Sequence, residues 1–137
     1  MVASVAVLNG GGHDGFDMML EGARRARAAR QESTGVTAFR WAAEAAVRVM
    51  AYPTAEIGLR EGLRYADEIE QSYCRHVMAA TSANLAWAAG RWDEAVAIAG
   101  IELVENGSRR GTLGSRDVLG FVAFGRGDVE RARTLLT

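Results

Sequence analysis

The sequence contains no lysine, since all 16 of its basic residues are arginine. A P-loop lysine, a Schiff-base lysine and a lysine general base are therefore excluded as catalytic groups. The sequence also contains 17 carboxylates, so its formal net charge is -1. Because no global positive field is present to hold a phosphate backbone, we expect no direct nucleic-acid partner.

Cysteine and proline each occur once in the chain. The lone cysteine, Cys74, can form no intrachain disulfide, lacks the companions of a structural zinc site, and is compatible with a reducing compartment. Apolar runs stay well below the roughly 18 residues of a membrane span, and no basic leader precedes the apolar stretch at residues 2–8. We therefore expect a cytoplasmic protein with no membrane contact, no metal and no cofactor.

Alanine is abundant, with 25 of the 137 residues, and glycine follows with 16. Alanine favours helices, and glycine marks frequent breaks between them. Apolar residues make up 49% of the chain and charged residues 24%, which is typical of a globular protein and excludes disorder. At this length we expect one helical-repeat domain, residues 1–137, with a sizeable core.

A repeat is visible when the sequence is compared with itself at a shift of 37 residues, the separation of Gly90 and Gly127. The aligned pairs share small, aromatic or turn character: Ala83 with Gly120, Trp87 with Phe124, Gly90 with Gly127, Trp92 with Val129, and Ala95 with Ala132. A second shift of the same length places Pro53 on the turn glycine. The chain is therefore predicted to contain four helix pairs, of which the first and the last are incomplete.

Apolar residues recur at helical spacing and predict about eight helices. The predicted helices are residues 2–9, 14–31, 34–51, 53–70, 72–89, 91–105, 113–125 and 127–136. Asp93 and Asp128 are expected at helix starts, where a carboxylate meets unpaired backbone amides. The polar stretch at residues 107–114 is predicted to be a loop.

The segment Leu85-Ala86-Trp87-Ala88-Ala89-Gly90-Arg91-Trp92-Asp93-Glu94-Ala95 resembles a tetratricopeptide unit. Three segments in order resemble, more narrowly, the helical repeat region of LuxR-family, MalT-like ATP-dependent transcriptional regulators of high-GC bacteria. These segments are Leu59-Arg60-Glu61-Gly62-Leu63-Arg64-Tyr65-Ala66, then Gly90-Arg91-Trp92-Asp93-Glu94-Ala95, then Val118-Leu119-Gly120 with Arg126-Gly127-Asp128. The resemblance implies an all-α fold of antiparallel helix pairs in a right-handed α-solenoid, as a piece of a longer regulator.

In function, the resemblance implies a scaffold or sensing surface without catalysis. The pattern GxxxxGK[ST] does not occur in the sequence, so ATP hydrolysis does not carry over to it. The helix-turn-helix that follows the repeats in such regulators is not found in it either, so DNA binding does not carry over. The expected partner is a protein, either a flanking domain or another chain. Self-association is also expected, because Leu135 and Leu136 have no following helix to cover them.

In a solenoid, the first helix of each pair faces the concave side, which is the usual binding surface. The residues predicted to line it and to bind a partner are Arg40, Val47, Asn84, Trp87, Asp117, Phe121 and Phe124. Exposed aromatic side chains among polar groups are what a partner groove needs. The alternative is that Trp87 and Phe124 simply fill the space between helices.

Two other functions stay open at this point. The run Gly10-Gly11-Gly12-His13-Asp14-Gly15 matches GxGxxG after an apolar segment, which indicates a small nucleotide-binding enzyme, although no second strand follows. The other alternative is a structural spacer with no ligand.

Two further groups of residues are interpreted as structural. Cys74 and His76 lie two apart on a helix and point to different sides, which predicts a buried thiol and a histidine on the polar face. A basic cluster is predicted to be a solvated face balanced by Glu21 and Glu32, with contact to nucleic acid or to an acidic partner as the alternative. This cluster consists of Arg24, Arg25, Arg27 and Arg30.

Overall fold

A computed structural model describes residues 12–137, and this part of the chain contains seven α-helices and no strand. The helices are α1 (Gly12–Ala28), α2 (Glu32–Arg48), α3 (Tyr52–Glu68), α4 (Ser72–Ala88), α5 (Trp92–Glu105), α6 (Arg109–Gly125) and α7 (Val129–Leu136). The all-helical prediction is confirmed for these residues. The first of the eight predicted helices, residues 2–9, lies outside them. Among the described helices, none combines the length and the hydropathy needed to cross a membrane.

The same three-residue turn follows each of the first four helices, and it recurs between α6 and α7. The middle residue of each turn has a positive φ, of 57°, 61°, 56°, 80° and 84° in chain order at Arg30, Met50, Glu70, Gly90 and Gly127. The next residue donates its backbone N–H, over 2.8 to 2.9 Å, to the carbonyl of an alanine five positions earlier; these alanines are Ala26, Ala46, Ala66, Ala86 and Ala123. This bond satisfies a carbonyl that the end of a helix otherwise leaves without a partner.

From Arg30 to Gly90 these turn residues recur every 20 residues, so the repeated unit is one helix of 17 residues with its turn. The predicted shift of 37 holds between Gly90 and Gly127, because α5 has only 14 residues. The shift of 37 residues is wrong for the two helices that precede Gly90. Met50 occupies the turn position there, and Pro53 lies in the first turn of α3, where the missing N–H of proline leaves no bond unmade.

The boundaries of the later helices correct the predicted loop at residues 107–114. α6 already begins at Arg109, because the Ser108 hydroxyl caps it by accepting the backbone N–H of Gly111 at 3.0 Å. Asp128 caps α7 in the same way, as predicted, by accepting from the backbone N–H of Arg131 at 3.1 Å. Asp93 lies in the first turn of α5, where the N-cap residue is Arg91.

The chain divides into two compact units, residues 1–75 and 76–137, with the boundary inside α4. In the first unit, α1 packs against α2, and α2 packs against α3. The helices lie close together at Gly35, where a Cβ would lie 3.0 Å from Cε1 of Tyr65 and 3.3 Å from the backbone nitrogen of Arg27. Phe39 meets the Tyr65 ring edge-on, with 6.1 Å between the centroids. The start of α2 therefore contacts the ends of both α1 and α3.

In the second unit, α5 packs against α6, and α6 packs against α7. The core consists of small and branched side chains: Ala83, Ala86, Ala95, Ala99, Val118, Leu119 and Val122. Leu135 packs against this core, and the exposed Leu136 lies over Gly120. This core thus partly covers Leu135, and self-association through the two leucines stays a prediction. The alanines leave room for neighbouring helix backbones to come close.

We expect Ala95→Leu and Ala132→Leu to lower the free energy of unfolding by about 1 to 3 kcal/mol, because both alanines are buried between helices and a larger side chain overpacks the contact. Ala28→Leu is the matched control, since Ala28 is exposed on α1. Urea unfolding of the three variants measures the difference. Equal midpoints would contradict the packing described above.

We also expect Met50→Gly to stabilise the chain by about 0.5 to 1 kcal/mol, because glycine adopts a positive φ without the strain that Met50 carries. Met50→Ala is the control for loss of the exposed side chain, since alanine keeps the backbone strain. Thermal and urea unfolding test the pair. The prediction fails if the glycine variant is no more stable than the alanine variant.

Candidate functional site

Five of the predicted partner-binding residues lie together in the second unit, on α4 and α6. The rings of Trp87 and Phe121 stack with 4.9 Å between their centroids, and Trp87 is half-buried against the core. Phe124 follows Phe121 by one turn and is 66% exposed. Asn84 and Asp117 precede these rings by one turn on their helices. We call Trp87, Phe121 and Phe124 the aromatic row. Trp87 does fill space between helices, whereas Phe124 does not.

The two remaining predicted residues lie in the first unit, on α2. Arg40 is buried and forms an ion pair with Glu44 at 3.2 Å, and its guanidinium lies 5.9 Å from the centre of the Tyr73 ring. Within the described residues, its Nε has no hydrogen-bond partner. Val47 is half-buried. Arg40 thus packs inside its unit, and its role in partner binding stays a prediction.

The basic cluster on α1 is compensated mainly by α3. Arg24 donates two hydrogen bonds to the Glu61 carboxylate, at 2.6 and 2.9 Å, and this contact lowers the pKa of Glu61. Arg27 pairs with Glu68 at 2.6 Å, and Arg25 pairs with Glu21 at 2.9 Å. The prediction of a charge-balanced face is supported for Arg24, Arg25 and Arg27, with Glu61 and Glu68 as partners in addition to Glu21. The predicted partner Glu32 is not part of these ion pairs.

His76 lies in a partly buried group of titratable residues that the sequence did not reveal. His76 is only 8% exposed, and its Nδ1 lies 2.7 Å from Oε2 of Glu102, which is 4% exposed. The same nitrogen lies 3.6 Å from Oε2 of Glu105. We call these three residues the His76 cluster. The prediction of a histidine on the polar face is wrong, whereas Cys74 is buried as expected.

The chain between α5 and α6 covers the His76 ring. A Cβ on Gly107 would overlap the imidazole, and a Cβ on Gly111 would lie 2.9 Å from the His76 carbonyl oxygen. Asn106, with φ 48°, ends α5 and donates its N–H to the carbonyl of Glu102 at 2.9 Å. Its side-chain oxygen accepts a hydrogen bond from Thr112 at 2.9 Å. The covering segment is thus fixed at both ends, and it excludes solvent from the ring.

One feature of the sequence does point to this cluster. Ala95, Ala99 and Glu102 follow one another at intervals of four and three, so they share the buried stripe of α5. A carboxylate on such a stripe requires a buried partner. The identity of that partner, 26 residues earlier in the chain, is visible only in the folded chain.

The glycine run of the nucleotide-binding alternative falls partly outside the described residues. Gly12 and Gly15 lie in the first turn of α1, whereas Gly10, Gly11 and the apolar residues 2–8 are not among the residues that the structure describes. Nucleotide binding stays a prediction.

The second unit therefore contains two candidate functional sites, the aromatic row and the His76 cluster. The first offers exposed ring surface, and the second offers converging nitrogen and oxygen donors. Comparisons with family models, curated proteins and solved structures find no match to this chain.

We expect Gly107→Ala to destabilise the second unit by about 1 to 3 kcal/mol, because the added methyl group must displace the His76 ring. Gly100→Ala is the matched control. A Cβ there meets nothing within 4 Å, and the exchange in a helix interior should stabilise by about 1 kcal/mol. Urea unfolding and the histidine ring signals in NMR spectra report both effects. Two variants of equal stability would argue against the covered ring.

Proposed function

We propose that this chain is a non-catalytic helical-repeat module, a segment of a right-handed tetratricopeptide-like solenoid that binds a protein partner. The regular turn supports this, because the same backbone bond to an alanine recurs at 20-residue spacing through four helices. Repeat proteins of this kind use exposed helix faces for binding. The resemblance to MalT-like LuxR-family regulators assigns such helices to interaction or sensing.

The aromatic row is the observation on which partner binding rests. An aromatic side chain as exposed as Phe124 is costly to leave in water and contributes strongly when a partner covers it. Trp87 is already held against the core and contacts the Phe121 ring, so little side-chain entropy is lost there on binding. Asn84 and Asp117 supply the polar rim that surrounds such anchors.

The partner is a protein segment that places an apolar side chain against Phe124. A basic group beside that side chain would meet the exposed carboxylate of Asp117. Such a segment belongs either to a flanking domain of the same regulator or to another chain. The cytoplasm is the location within this proposal, in keeping with the single free thiol, Cys74.

Selection from a library of random peptides displayed on phage, with the full chain as bait, tests the proposal. We expect enrichment of peptides with an aromatic or branched apolar anchor. Phe124→Ala should weaken their binding by at least about tenfold, as loss of a central aromatic anchor does. Fluorescence anisotropy with labelled peptides measures the dissociation constants.

Val104→Ala is the matched control for a general effect of apolar surface. Val104 is 86% exposed, and it lies 12 residues beyond Trp92, which packs against Gly125 beside Phe124. This separation along α5 corresponds to about 18 Å. Absence of any enriched peptide would favour a spacer with no ligand. Equal binding by wild type and Phe124→Ala would refute the aromatic row as the binding surface.

A further inference from the structure

The His76 cluster brings three metal-ligating side chains together from two helices. His76 comes from α4, whereas Glu102 and Glu105 lie one turn apart at the end of α5. One donor atom from each lies within 4.8 Å of the other two. The two carboxylates face the same imidazole nitrogen, Nδ1, because residues three apart on a helix share a face.

We propose that the His76 cluster binds one divalent transition-metal ion, and that zinc fits it best. Donor atoms around tetrahedral zinc, with bonds of about 2.0 to 2.1 Å, lie about 3.3 Å from one another. The distances from Nδ1 to the two carboxylate oxygens, 2.7 and 3.6 Å, lie on either side of that value. The donor atoms therefore lie near the separation that a zinc ion needs, and the side chains must adjust to admit it.

The donor set decides which ion is bound. One imidazole nitrogen and two carboxylate oxygens suit zinc and its first-row neighbours, whereas magnesium and calcium prefer oxygen donors alone. Three protein ligands leave a fourth position for water or for a group from a partner.

The surroundings hold the ligands in place before the ion arrives. Gly107 lies against the Nε2 side of the ring, so Nδ1 is the nitrogen that faces the carboxylates. The Glu102 backbone is fixed by the hydrogen bond from Asn106. Glu105 is exposed and provides the route by which an ion enters. Because the ligands are ordered before the ion binds, less conformational entropy is lost on binding.

Binding would connect α4 to the end of α5 through the ion. Because an ion that binds only the folded state stabilises it by mass action, zinc should raise the unfolding temperature of the chain. This inference is independent of partner binding at the aromatic row, which lies on α4 and α6 and shares no residue with the His76 cluster.

Isothermal titration of the full chain with zinc chloride tests the site, after treatment with a chelator and removal of any polyhistidine tag. We expect one zinc ion per chain and a raised unfolding temperature. Glu105→Gln should weaken zinc binding by at least about tenfold, because an amide is a poor ligand in place of a carboxylate. This variant keeps the fold, since Glu105 is exposed and the bond between His76 and Glu102 remains.

Two control variants make the result specific. Glu94→Gln makes the same change of charge on an exposed glutamate of α5 and should bind zinc like the wild type. His13→Ala removes the other histidine of the chain and should also leave binding unchanged. The proposal is overturned if stripped wild-type protein binds no zinc at millimolar concentration, if magnesium binds equally well, or if Glu105→Gln binds as tightly as Glu94→Gln.

Discussion

The backbone hydrogen bond that ends each repeated helix determines the spacing of the fold. It joins the residue after a left-handed turn residue to an alanine carbonyl five positions earlier, and it is present at Ala26, Ala46, Ala66, Ala86 and Ala123. The bond closes the turn in three residues, and the helices on either side of such a turn pack against each other in the pairs α1 with α2, α2 with α3, and α6 with α7. The 20-residue interval between turns follows from this closure and from helices of 17 residues.

Small residues allow the returning helices to pack once the turn has placed them. Gly35 in the first unit and Ala95 in the second are both buried, and both lie in the turn of helix that follows a left-handed residue. A large side chain at these places would separate the backbones and lose the contacts of the whole layer. The abundance of alanine is therefore a packing requirement of this fold as well as a helix preference.

The same close packing has opposite results for two groups of side chains in the second unit. At His76, the short connection after α5 covers the ring, so the donor atoms of His76 and Glu102 meet in a buried environment. At Phe124, the α6 surface has no covering element within the described residues, so an aromatic ring stays in water. The buried polar groups favour an ion, because the ion replaces interactions that water would otherwise supply. The exposed aromatic ring favours a partner, because the partner removes apolar surface from water.

The sequence alone determined that residues 12–137 form helices and placed most of them within a few residues, because apolar spacing and alanine content are local properties. It also identified the paired turns at Gly90 and Gly127, since glycine favours a positive φ. It did not reveal the turn at Met50, where bonding and packing impose the same conformation on an ordinary residue. Only the tertiary structure brought His76 to Glu102, because a contact across 26 residues depends on how helices pack, and no local pattern records it.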